Sequence, residues 1–177
     1  MTEVTGNGIN RRQALFAAAG VAAAGVVAGG FSSASAQTPE AAGGTLSGDV
    51  VLAGLTGALA KATEIGVPSV VAIFDRAGTQ LGFVRQEGAL VVSNTFAPQK
   101  AYTAAAFGAP TADFAAMAGS DPALLASLLK VENVTLIGGG LPIIAGGIPI
   151  GGIGASGGSV EQDIEVATAG LAAMGFS

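Results

Sequence analysis

The chain has 177 residues, half of them hydrophobic, 11% charged and 29 of them glycine, with a net charge of −5. It contains no histidine and no cysteine, which excludes disulfides, imidazole or thiolate metal sites, and every Ser-His or Cys-His nucleophile. The length suits one domain.

At the N-terminus, Arg11-Arg12 precedes an apolar run from Ala14 to Val27, then Gly29-Gly30 and the small-residue triplet Ala34-Ser35-Ala36. A basic region, a short apolar stretch and an A-x-A site are the three parts of a secretory signal. The paired arginines and the mild hydrophobicity are similar to the twin-arginine type. The expectation is a cleavable export signal over residues 1–36 and a periplasmic or secreted protein. The run is too short and glycine-rich for a stable membrane anchor. Without Arg11, Arg12 and Glu3 the mature chain keeps five basic and eleven acidic residues. No basic patch remains for nucleic acid, and an acidic protein gains nothing from an anionic lipid surface.

Residues 37–45 read as a disordered lead, with Pro39 and Gly43-Gly44. From Leu46 onward the spacing of Val50, Val51, Leu55, Leu59 and Ala62 predicts a helix, stopped at Gly66-Val67-Pro68. A β-branched run from Ser69 to Phe74, a turn at Asp75-Arg76-Ala77-Gly78 and an alternating stretch from Gln80 to Arg85 predict a hairpin. An Ala-rich helix follows from Asn94 to Phe107, ended by Gly108 and Pro110. Thr111 reads as the cap of a short helix through Met117, and Asp121-Pro122 as the cap and first position of the next. Three short apolar strands are expected at Thr135–Ile137, Leu141–Ala145 and Ile148–Ile153, buried on both faces. A last helix runs from Ser159 to Met174, with Gln162 completing a capping box. This order describes a single α/β layered domain, residues 46–177, with a central antiparallel sheet flanked by helices.

Three features suggest a site. Gly152 to Gly157 spells G-x-G-x-x-G, but the chain supplies no following strand or acidic residue for a dinucleotide. Ser156, Gly157 and Gly158 instead lead into a helix N-terminus whose amides suit an anion or simply form a tight turn. Glu161, Asp163 and Glu165 read as a solvated face of that helix. Lys100, Thr103, Ala104 and Phe107 share one face of the Ala-rich helix. A lysine there needs water, a ligand or an acid such as Asp75. Arg85, Gln86 and Glu87 end the second strand, either at a pocket mouth or at an exposed hairpin end.

Several spaced motifs together resemble a known family. They are Asp75 to Gly78, Arg85 to Ala89, Lys100 to Thr111, Gly138 to Pro142, Gly151 to Gly158, Gln162-Asp163 and Ala169 to Leu171. In that order they look like the family that includes GlcG, the haem-binding HbpS proteins and the C-terminal domain of PduO-type adenosyltransferases. The resemblance implies a profilin-like fold, a homo-oligomer and, in exported members, haem or iron handling. It implies Thr103 as a haem-iron ligand, with Lys100 one turn before it. Lys100, Thr103, Phe107, Ser156, Gly157 and Gly158 are therefore the expected cofactor-binding residues. Without histidine or cysteine, axial ligation falls to Tyr102, Met117, Met174, Lys100 or Thr103. The alternatives are an accessory protein or enzyme for a small organic acid, with Lys100 as its anion clamp, and a structural oligomer module.

Overall fold

The computed structural model describes residues 45–177. The expected export signal at 1–36 and nearly all of the lead at 37–45 lie outside the described residues. Ser47 caps α1 (Gly48–Glu64) by accepting a hydrogen bond from Val50 N at 3.4 Å. The β-branched run then forms β1 (Val70–Asp75), turned at Gly78 (φ +81°) into β2 (Gln80–Arg85). Next come α2 (Ser93–Phe107), α3 (Thr111–Gly119) and α4 (Pro122–Leu128), the last capped by Asp121 with Pro122 in its first turn. The hairpin β3 (Gly140–Ala145) and β4 (Ile148–Ser156) leads into α5 (Val160–Ala173), whose Ser159–Gln162 capping box is complete.

The four strands form one antiparallel sheet in the order β2-β1-β4-β3. The two hairpins meet through β1 and β4, with Val70 opposite Ser156 and Asp75 opposite Gly151. One face carries Val71, Ile73, Ile153 and Ala155 against Val50, Val51 and Ala58 of α1 and Val166, Ala167 and Leu171 of α5. Helix α2 covers β4 and β1 on the opposite face. The expected fold class, helices flanking a central antiparallel sheet, is the observed one.

Three local expectations change. Thr135–Ile137 is not a strand. Its backbone passes over α2, and Thr135 N donates to the Thr103 hydroxyl at 2.9 Å instead of to a neighbouring strand. Thr111 is the first residue of α3 and not its cap, because its hydroxyl is turned to Gly140 N, also at 2.9 Å. Strand β4 is buried from Ile150 onward, whereas β3, at the sheet edge, is only partly covered.

The glycines of β4 set how closely α2 approaches. A methyl group on Gly152 would collide with Ala101 O and Ala105 N, and one on Gly154 with Ala101 N and Ala97 O. The G-x-G of the G-x-G-x-x-G string is thus a bare strip of strand on which an alanine-faced helix lies. Among the described residues no helix is long and apolar enough to cross a membrane. Gly154→Ala is expected to destabilise the domain by about 1–3 kcal/mol through overpacking, read as a lower urea midpoint with the slope unchanged.

Candidate functional site

The polar centre of the molecule is built on Lys100. Helix α2 turns this residue toward β4, leaving its side chain 2% exposed beside an Asp163 side chain that is 4% exposed. The ammonium donates to Asp163 Oδ2 at 2.5 Å and to Ala155 O at 3.1 Å. Asp163 Oδ1 accepts from Gly157 N at 2.9 Å and Gly158 N at 3.0 Å. One carboxylate therefore holds a helix, a strand end and a strand-to-helix loop together. Gly139 (φ +115°) closes over the pair, since a Cβ there would stand 2.8 Å from Asp163 Cβ and 2.9 Å from Lys100 Nζ. Beside this loop, the backbone N–H of Glu161 and the Ser159 hydroxyl hold the exposed Glu161 carboxyl below its usual range.

This hub revises the sequence-derived site. Lys100 is no clamp for an external anion, because its charge is spent inside the fold. The amides of Gly157 and Gly158 do accept a carboxylate, but it is the chain's own. Asp163, read as part of a solvated face, is buried. Ser156 is buried and its hydroxyl donates to Ser93 Oγ at 3.1 Å. Thr103 is fully buried with its oxygen engaged by Thr135 N, so it presents no free oxygen to an iron. Of the six, Phe107 and Gly158 are exposed; Phe107 is 44% exposed, its ring stacked on Phe114 with centroids 4.0 Å apart. The pairing of Lys100 with an acid is realised within one chain, by Asp163. Asp75 instead accepts from Thr79 N in the hairpin turn.

Other polar residues take roles that spacing does not reveal. Gln86 ties three elements: its oxygen accepts from Ser69 N at 2.9 Å, and its nitrogen donates to Leu59 O and Thr63 Oγ1. With Glu87 it also borders a cleft of about 390 Å³ beside Val67 and Pro68, while Arg85 and Glu87 are exposed, as at a hairpin end. Arg85 reaches the carbonyl of Ala89. Arg76 closes the end of α2, donating to Ala105 O at 2.6 Å and Ala106 O at 2.7 Å. Among the described residues no buried side-chain nitrogen or oxygen lacks a partner, and no three acidic residues gather into a metal site.

A sheet closed on one side by paired helices and on the other by a lysine-locked helix defines an α+β domain with a sealed interior. The chain belongs to the HbpS-like family of haem-degrading proteins, whose model matches residues 46–172. It is 42% identical over 119 residues to the corrinoid adenosyltransferase PduO of Salmonella typhimurium, a match covering 66% of this chain and 35% of that protein. The chain thus spans about a third of the length of that relative. Among solved structures, a PduOC:heme complex is 39% identical with a TM-score of 0.68, covering 73% of this chain and 94% of that one. HbpS is 32% identical with a TM-score of 0.67, covering 72% and 88%.

Removing one partner of a buried ion pair strands the other charge. Asp163→Ala is expected to lower the unfolding free energy by about 3–5 kcal/mol, measured by urea denaturation. Lys100→Met, which leaves the carboxylate its two amide donors, should cost less.

Proposed function

We propose that this protein is an exported haem-binding protein that holds haem weakly, without histidine, as part of haem or iron handling. The observation that carries the reading is the likeness to the PduOC:heme complex, 39% identical over 73% of this chain, together with membership of the HbpS-like family. The donor chemistry agrees with a haem taken on the surface and not in the core. The interior is packed with alanine and β-branched residues, and its one lysine is committed to Asp163. Outside, Tyr102 and Met117 keep side chains with ligating atoms at least partly open to solvent. Arg76 and Arg85 remain as cations with no carboxylate within 4 Å among the described residues. Bound haem supplies redox-active iron and two propionates; the chain supplies an apolar seat, a cation and a ligating oxygen or sulfur.

Two parts of the reading rest on the sequence. The twin-arginine-type segment at 1–36 supports export to the periplasm or beyond. Homo-oligomerisation is supported by exposed Leu90, Val91 and Val92, three adjacent apolar residues that assembly would remove from water. The small-organic-acid alternative was built on Lys100 as its anion clamp, and that ammonium is already paired.

Titration of the purified protein with hemin is expected to give a saturable Soret shift near one haem per subunit or per dimer. A linear, unsaturable change would mean that hemin only adheres to apolar surface, and the haem reading would fall.

A further inference from the structure

Resting on the haem-binding reading, we propose that the iron ligand is the phenol oxygen of Tyr102, on the flank of α2 that faces the β1–β2 hairpin, with Arg76 as the partner of a haem propionate.

Four other donors can be set aside on structural or chemical grounds. Thr103 is fully buried and its hydroxyl accepts from Thr135 N. Lys100 is locked to Asp163 and Ala155 O. Met174 is 1% exposed, inside the main core. Met117 is 53% exposed, but α3 carries no lysine or arginine, and a thioether is a soft ligand for ferric iron, which favours an anionic oxygen. Tyrosine is an established haem ligand in general, and Tyr102 is the single tyrosine of the chain.

Its ring packs against the hairpin while its hydroxyl takes no part in that packing. The ring meets Phe74 edge-on, with centroids 6.0 Å apart and planes at 86°. Gly78 lies against it so closely that a Cβ there would be 3.0 Å from Tyr102 Cε2. The ring is therefore held on two sides by the hairpin, a placement that fixes its direction. No described group hydrogen-bonds the phenol, and no buried side-chain oxygen is left unpaired, so the hydroxyl is open to solvent.

Arg76 bonds the carbonyls of Ala105 and Ala106 in the last turn of α2, one turn beyond Tyr102. Only Nη1 is used in those bonds, and a guanidinium has five N–H donors in a fork that suits a carboxylate. Phe83 is a second aromatic residue of the hairpin. It lies opposite Ala72 while Phe74 lies opposite Gln80, which puts Phe83 and Phe74 on the same sheet face, and it is 41% exposed on the edge strand. Hairpin aromatic rings, an oxygen donor and an arginine together match the three parts of an iron porphyrin. On binding, the Tyr102 O–H bond would break and its proton pass to solvent, while the water or chloride carried by ferric hemin leaves as the phenolate takes its place, with no change in oxidation state.

The test compares the full chain with Tyr102→Phe and Met117→Leu by hemin titration and resonance Raman spectroscopy. The wild-type complex should show phenolate modes enhanced through a tyrosinate–iron charge-transfer band. Tyr102→Phe should lose them and bind about tenfold or more weakly, with an unchanged melting temperature because the hydroxyl bonds nothing in the fold. Met117→Leu should keep both. Arg76→Gln should weaken affinity yet retain the phenolate modes. A Tyr102→Phe protein that binds hemin with wild-type affinity and spectrum overturns the assignment and leaves the haem-binding reading standing. A wild-type chain with no saturable uptake removes both.

Discussion

The fold depends on one buried ion pair. Withdrawing an ammonium and a carboxylate from water costs several kcal/mol for each ion, and attraction alone repays this only when the remaining hydrogen-bonding capacity is filled. Here it is filled: Asp163 receives Lys100 and two amides, and Lys100 also meets Ala155 O. The three elements that supply these groups, α2, β4 and α5, can satisfy them in one relative placement. The pair thus selects an arrangement as much as it stabilises one.

The high glycine content follows from the same constraint. For the Lys100 chain to reach Asp163 without a gap that water could enter, α2 must lie almost on the backbone of β4. Gly152 and Gly154 give it that approach, and Gly139 covers the charged atoms where any side chain would displace them. Alanine at 97, 101, 104 and 105 is the helix's side of the same contact. Most motifs that mark the family, from Lys100-Ala-Tyr-Thr103 through the triple glycine to Gln162-Asp163, converge on this one locus. They define an architecture before they define a chemistry.

A sealed interior moves function outward. With its buried polar atoms mutually satisfied, the domain offers a ligand only its surface: the apolar edge of the sheet, the flank of α2, and the clefts between elements. On the haem-binding reading proposed above, that arrangement suits reversible, weakly ligated binding better than storage in a closed pocket. It also leaves the exposed apolar residues near the start of α2 free for contacts between copies of the chain.

Elements with strong local signals are legible in the sequence. The hairpin of β1 and β2, the Asp121-Pro122 start of α4 and the Ser159–Gln162 box of α5 follow from turn and cap chemistry acting within a few residues. Helical periodicity also puts Lys100, Thr103, Ala104 and Phe107 on one face of α2, buried except at Phe107. Where each polar group finds its partner is set by packing between distant elements. Helical spacing puts Asp163 on the face of Val166, Ala167, Gly170 and Leu171, apart from the solvent-facing Glu161 and Glu165, but it does not reveal that Lys100, 63 residues away, lies opposite. The strand predicted at Thr135 and the cap predicted at Thr111 do not form, because their hydrogen bonds run to Thr103 and Gly140, 32 and 29 residues away. Periodicity reports which face of an element is buried; the identity of the group across from it is set by packing between elements distant in the chain.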